Sequence, residues 1–164
     1  MQAVSPSTRL VGSLLDRLAT GKPESRRDGV ASAYQTLDEF LKSVTRDVEC
    51  LLNTRAEASK TAGVHEEECG PYPWDYGLPD ISAYTLSKKE HRQTIGEHIC
   101  HALESWEPML LNVQVEPSKQ DNGRLHFRIK AQIRIQPSPR PVILDSRLDS
   151  TSHQFAVTMT RGAD

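Results

Sequence analysis

Two glutamates and an aspartate are the side chains of this sequence best suited to hydrolytic chemistry. Glu104 and Glu107 lie at the end of a predicted helix, and Asp80 lies in an earlier turn. A pair of carboxylates can hydrolyse a glycoside when one is held protonated and both flank a cleft. Burial of Glu107 beside Trp106 would raise its pKa, as a general acid requires. Glu107 could instead anchor a structural ion pair, and Glu104 is predicted to face solvent, so spacing alone does not establish catalysis.

Histidines and one cysteine are the candidate metal ligands. His91 and His98 share the second predicted helix with His101; they lie on one face but two turns apart, too distant to bind one ion, and we expect both to be exposed. His65 and Cys69 bracket three glutamates, short of the four ligands of a zinc site. The sequence contains no HExxH, no GxSxG and no glycine-rich phosphate loop. It therefore predicts no metal site and no cofactor.

Composition excludes several other classes of protein. A net charge of -2 and an aromatic content of 5% argue against nucleic-acid binding. No apolar run approaches the ~20 residues of a membrane span, and the first six residues lack the pattern of a signal peptide. Three cysteines without a CxxC spacing give no disulfide framework, and we expect Cys50 and Cys100 to be buried free thiols within helices. These features favour a cytoplasmic protein without direct membrane insertion.

One segment alternates apolar and polar side chains without a break. The apolar positions are Leu125, Phe127, Ile129, Ala131, Ile133 and Ile135. A period of two predicts a strand with one buried and one exposed face. The basic side chains on or beside the exposed face are Arg124, Arg128, Lys130 and Arg134, with no acid among them. They form either a solvated face that discourages unwanted strand pairing, or a docking surface for an acidic partner.

Two amphipathic helices precede this strand. The first is predicted from Thr36, which has a capping-box partner three residues later, to about Arg55, with Glu49 on its polar face. The second is predicted from Ser87, which has the same cap spacing, to Trp106, where a proline two residues later ends it. A long loop over residues 57–74 separates the two helices.

Further strands complete the predicted domain. Alternation indicates strands at 111–115 and 155–159 and a short one at 142–144. Successive strands with short links favour an antiparallel meander of about four strands, covered on one face by the two main helices. We therefore predict a two-layer α+β domain over residues 36–160. Residues 1–35 are predicted to be an N-terminal arm with a short helix and a charged loop.

Four short blocks carry a family resemblance. They are LLDRL at 14–18, LLNTR at 51–55, YGLPD at 76–80 and EPML at 107–110. In this order they resemble the TssE family of baseplate subunits of the bacterial type VI secretion system, which is similar to a wedge protein of contractile phage tail baseplates. The resemblance covers about residues 9–160.

The resemblance also implies a set of structural motif positions. They are Arg55, Tyr76, Gly77, Pro79, Asp80, Glu107 and Pro108. The family pattern reads Glu-Pro-Arg, but Met109 stands where the arginine is expected. The family arginine would pair with Glu107 in the core or at an interface, so a buried Glu107 needs another donor here. Arg55 is the candidate.

The implied function is a non-enzymatic wedge component of a cytoplasmic baseplate docked on the inner-membrane complex. The implied partners are the wedge subunits TssF and TssG and the first ring of the contractile sheath. We expect the contact to form by strand addition, in which an exposed sheet edge pairs with an extended arm of a partner. The candidate partner-binding residues are Arg124, Arg128, Lys130, Ile133 and Arg134. The alternative is a peptidoglycan hydrolase of lysozyme-like type, with Glu107 as general acid.

Overall fold

The computed structural model describes residues 37–57, 73–121, 123–135 and 138–161. The predicted arm at 1–35, the pair His65 and Cys69, and most of the predicted loop at 57–74 lie outside these residues. The same holds for Thr36 and its predicted cap.

Helix α1 (Leu37–Asn53) follows the predicted amphipathic stripe. Its buried side chains include Phe40, Val44, Val48 and Leu51, which recur three or four residues apart and therefore share one face. This face packs on the sheet, chiefly on the last strand.

Helix α2 (Lys89–Trp106) begins later than the sequence predicted. Its N-cap is Lys88, whose backbone is extended and which makes no side-chain capping hydrogen bond, so the predicted cap at Ser87 was wrong. The helix ends at Trp106 as predicted, because Glu107 precedes a proline and leaves the helical region, with φ -113° and ψ 82°. No helix in the described part of the chain is long and apolar enough to cross a membrane.

Four antiparallel strands follow α2 and form one sheet. They are β1 (Leu110–Asp121), β2 (Arg124–Ile133), β3 (Arg140–Asp149) and β4 (Phe155–Arg161), in the spatial order β1-β2-β3-β4. Every second residue of β2 is buried, as its alternation predicted. Helix α1 packs against β4 and α2 against β1 on the same face. The predicted two-layer α+β fold with an antiparallel meander is therefore confirmed.

Strand β3 is much longer than the predicted segment at 142–144. Its polar residues made it difficult to predict from the sequence. Asp145 and Arg147 face outward, and the inward position between them is Ser146, which is fully buried. Pro141 does not interrupt the strand, because pairing with β4 begins only at Val142 and the missing N–H is not needed there. The length of this strand is therefore set by its pairing with both neighbouring strands, and its own composition does not predict it.

Strand β1 is irregular at two points. Its register with β2 shifts between Leu111 and Gln114 and again between Pro117 and Gln120. At the first shift Asn112 adopts a left-handed backbone with φ 53°, as an inserted bulge residue can. The bulge divides β1, so its regular pairing resumes only at Gln114.

Candidate assembly interface

The outer face of the sheet carries charges of both signs. Three ion pairs join β2 to its neighbours: Arg128 with Asp145 at 3.2 Å, Lys130 with Glu116 at 2.8 Å and Arg124 with Asp149 at 3.7 Å. The acids come from β1 and β3, which is why β2 alone looked uniformly basic. These exposed pairs contribute little to stability, but they compensate most of the charge on the predicted basic stripe. The role of that stripe in partner binding stays a prediction.

Two other cations on or beside this face, Arg134 and Arg147, have no ion pair among the described residues, and both are exposed. The sequence predicted only Arg134 as a candidate, because Arg147 lies on β3, whose length was underestimated. Ile133, also a candidate, is fully buried in the core and lies on a central strand, so its side chain is not available to a partner.

The outer border of β4 is occupied by side chains of α1. The amide N–H groups of Phe155 and Val157 donate to Asn53 Oδ1 and Glu49 Oε2, each at 2.8 Å. Asn53 Nδ2 in turn donates to the carbonyl of Phe155 at 2.9 Å. These groups stand where a fifth strand would place its own main-chain partners. Glu49 was assigned to the polar face of α1, and its contact with β4 was missed because it depends on how α1 crosses the sheet.

The outer border of β1 has a different environment. The Cys100 thiol of α2 lies 3.5 Å from the carbonyl oxygen of Val113, a weak contact. This contact shows that the Val113 carbonyl points away from β2. Since hydrogen-bonding direction alternates along a strand, the main chain of Val115 points the same way. Within the described residues, no side chain donates to or accepts from Val115 on this border.

The turn predicted from YGLPD packs against the residues that follow α1. Gly77 has φ +116°, and a Cβ there would lie 2.3 Å from the carbonyl oxygen of Thr54, so the close approach requires glycine. The N–H of Leu78 donates to that carbonyl at 2.9 Å, and Ala56 donates back to Leu78. This confirms the prediction that Gly77 supplies a positive φ.

Arg55 contacts the other end of this turn. Its Nη2 lies 3.0 Å from Asp80 Oδ1, and both side chains are more than half exposed. Asp80 also accepts from the N–H of Ser82, and this bond, more than Arg55, lowers the pKa of the carboxyl group. Arg55 therefore pairs with Asp80, and its predicted pairing with Glu107 was wrong.

Glu107 lies between the two helices with no cation beside it in the described residues. The only hydrogen bond of its carboxylate in the described residues is from the N–H of Met109 at 3.4 Å. Burial raises its pKa to about 7, and the nearby carboxylate of Asp47 adds to the increase. The rings of Tyr76 and Trp106 meet edge to face at 5.4 Å in the same region, and burial raises the pKa of Tyr76. The predicted effect of burial on Glu107 is confirmed.

The histidines of α2 contact an aromatic side chain. His91 and His98 lie on either side of Tyr84, with ring centroids 5.5 and 6.0 Å from it, and His91 Nδ1 accepts from the N–H of Thr85. Both are partly buried, so the prediction that they are exposed was wrong. No cluster of three or more potential metal ligands occurs in the described residues.

The cysteines differ in exposure. Cys50 lies on α1 as predicted but is exposed, which corrects the expectation of burial. Cys100 is partly buried, and burial, followed by the charge of Glu104, raises the pKa of its thiol.

The described residues form one cleft that the carboxylates proposed for hydrolysis do not line. A cleft of about 410 Å³ lies between the end of α1 and the β3–β4 hairpin, and its acidic residues are Glu49 and Asp149. Glu107 and Asp80 do not line it, and Glu104 is exposed on α2. This cleft therefore gives no support to the catalytic set that the sequence suggested.

The comparisons with known proteins identify the class. A family model described as baseplate wedge protein gp25 matches residues 38–138, from the start of α1 past the end of β2. The chain belongs to this family of phage-tail-like baseplate proteins. No curated protein and no solved structure matches.

Proposed function

We propose that this chain is a non-enzymatic wedge subunit of a type VI secretion baseplate. It binds the wedge subunits TssF and TssG and joins them to the first ring of the contractile sheath, in the cytoplasm and docked on the inner-membrane complex. An extended arm of a sheath subunit adds to an edge of its sheet. In this way the domain starts sheath polymerisation at one end.

The family match over both helices and the first two strands carries this proposal. The sheet supports the mechanism, because its two border strands, β1 and β4, each have one side that no strand of the described residues pairs with. An unpaired border offers N–H and C=O groups that an extended segment can satisfy. The two uncompensated arginines on or beside the outer face, Arg134 and Arg147, give an acidic partner a second contact.

The test is reconstitution with purified TssF–TssG and sheath subunits. The chain is expected to co-purify with TssF–TssG and to shorten the lag of sheath assembly measured by light scattering. Gold-labelled chain should mark one end of each sheath in electron micrographs. Absence of wedge binding together with an unchanged lag would contradict the proposal.

A peptidoglycan hydrolase remains the second candidate because of one observation. Glu107 has a pKa of about 7, so about half of its carboxyl groups carry the proton at neutral pH that a general acid donates. A cell-wall digestion assay compares the wild type with Glu107→Gln, and Glu104→Gln serves as the exposed control. Digestion lost only in Glu107→Gln would favour the enzyme, whereas no digestion by the wild type would exclude this candidate.

A further inference from the structure

The side of α2 next to β1 forms one wall of an open border. Cys100 reaches the carbonyl of Val113, and Gly96 one turn earlier lies beside Val115, since a Cβ on Gly96 would be 3.7 Å from the Val115 Cγ1 atom. Helix α2 therefore runs alongside β1 for at least one turn. The Val113 carbonyl has the Cys100 contact, and the Val115 carbonyl oxygen would lie 3.9 Å from a Cβ on Gly96, so the group without a contact on this side within the described residues is the amide of Val115.

This wall is acidic. Glu97 lies three residues before Cys100 and Glu104 four residues after it, so both project from the same side of α2. Both are exposed, and the charge of Glu104 acts on the Cys100 thiol, which places that carboxylate close to the border. Neither forms an ion pair with any described residue.

The usable border is short. The bulge at Asn112 interrupts pairing on one side, and Pro117 has no N–H to offer on the other. The donor that remains between these points is the amide of Val115. A segment pairing here makes few main-chain hydrogen bonds, so its side chains must contribute to affinity and selectivity.

The border of β4 offers fewer free main-chain groups to an incoming strand. Asn53 and Glu49 already take up the main chain of Phe155 and the amide of Val157. An incoming strand would have to displace a carboxylate and an amide that hydrogen-bond as well as a peptide group does. Only the stretch from Met159 onward is left, within a strand that ends at Arg161.

We infer that an extended segment of another protein, with lysine or arginine at alternate positions, adds to β1 at Val113–Val115 and contacts Glu97 and Glu104. The inference rests on the proposed function and deepens it by naming the border and the charge of the arm. One row of side chains of the arm points to α2, where the acids attract cations, and the other row continues the outer face of the sheet. The closed β4 border directs the arm to this side.

Two matched proline variants test which border is used. The amides of Val115 and Met159 both point away from the neighbouring strand, so proline at either position leaves the hydrogen bonds within the sheet intact, as native Pro117 does on β1. Val115→Pro is expected to weaken binding of purified sheath subunits about tenfold, because an amide donor is lost and its acceptor on the arm is left unpaired. Met159→Pro is expected to bind as the wild type does. The reverse result overturns the inference.

The charge of the arm has its own test. Glu97→Gln with Glu104→Gln should lower the affinity for sheath subunits at low salt and flatten its salt dependence, while Glu57→Gln, an exposed acid beyond α1, should change neither. An alternating lysine–valine peptide should bind the wild type and an alternating glutamate–valine peptide should not. Equal binding of both peptides overturns the charge assignment.

Amide hydrogen exchange on the unmodified chain keeps the inference testable if Val115→Pro does not fold. Sheath subunits should protect residues 113–115, whereas protection confined to 157–161 overturns it. Sedimentation of the chain alone is a further test. If the chain dimerises and Val115→Pro abolishes the dimer, the β1 border pairs with a second copy of this chain, and the proposal that a different protein binds there is overturned. Binding of TssF–TssG is measured throughout, and its loss in the wild type would instead contradict the proposed function.

Discussion

The two border strands of the sheet differ in how the covering helix meets the main chain of their outer sides. At β4 the helix beside the border supplies one carboxylate and one carboxamide to the main chain, and three hydrogen bonds of 2.8–2.9 Å result. At β1 the helix beside the border supplies a thiol at 3.5 Å. The difference comes from the helices, since the strands themselves are both antiparallel edge strands with apolar inner faces. Edge protection in this fold is therefore set by which residues the covering helix presents to the border.

Proline in the interior of the sheet should have the largest effect on stability. This effect distinguishes the central strands from the border strands. Ile133 is paired with Arg140 of β3, and its amide belongs to the ladder between two central strands. Ile133→Pro should remove that hydrogen bond and distort a fully buried position, costing about 3 kcal/mol or more. Circular dichroism and thermal melting should show an unfolded chain, with folded Met159→Pro as the border control. A native-like melt of Ile133→Pro would contradict this assignment of the sheet interior.

The segment that leads from α2 into β1 should make the stability of the fold depend on pH through Glu107. Glu107 is ionised in the unfolded chain above its ordinary pKa of 4.5 but stays protonated in the folded chain up to about pH 7. Folding stability should therefore fall as pH rises from about 4.5 to about 7 and stay lower above that. Glu107→Gln should lack this fall and be more stable than the wild type by about 2–3 kcal/mol at pH 8.

Urea denaturation at pH 4 and pH 8 measures the effect. The two chains should have similar free energies of unfolding at pH 4 and diverge at pH 8. An equal difference between the two chains at both pH values would show that folding does not raise the pKa of Glu107.

Opening the β4 border should make it resemble β1. Asn53→Ala removes two hydrogen bonds to Phe155 and should cost about 1–2 kcal/mol. Glu49→Ala frees the amide of Val157, whereas Glu49→Gln keeps an acceptor there and is the matched control. The double variant Glu49→Ala with Asn53→Ala should self-associate with increasing concentration through the released border, as sedimentation velocity would detect. A variant that stays monomeric would show that other features protect this border.

Charge reversal on the outer face should have the smallest effect. Arg128→Glu places a second acid beside Asp145, while Arg147→Glu changes a cation without an ion pair in the described residues. Each should alter the free energy of unfolding by at most about 1 kcal/mol. Association rates with an acidic partner at low salt should fall more for Arg147→Glu, because Arg128 is already compensated. Equal rates for both would exclude a docking role for the uncompensated arginines.

The sequence predicted the layers of this fold better than its site. Alternation in β2 and the stripe on α1 each follow from the burial of one face, and a burial pattern is local in the chain. The length of β3 was underestimated because Ser146 interrupts its apolar row while remaining fully buried. Its length is defined by pairing with β2 and β4, which no local pattern contains.

Contacts between residues distant in the sequence also explain why the candidate site was predicted only in part. Arg128 and Lys130 looked uncompensated because their partners, Asp145 and Glu116, lie 17 and 14 residues away and meet them only through register. Glu49 looked solvated because its partner is the main chain of Val157, 108 residues later. Gly77 was predicted correctly, because the need for a positive φ in a tight turn is a local property.

The contact of Asn53 with Phe155 has a consequence for how this domain can diverge among relatives. One added or deleted residue within α1 rotates everything after it by about 100° about the helix axis. Such a change would turn Glu49 and Asn53 away from the main chain that they serve, however conservative the inserted residue was. Helix α1 can therefore tolerate many substitutions on its exposed side while its length stays constant, so relatives should align through this helix without gaps.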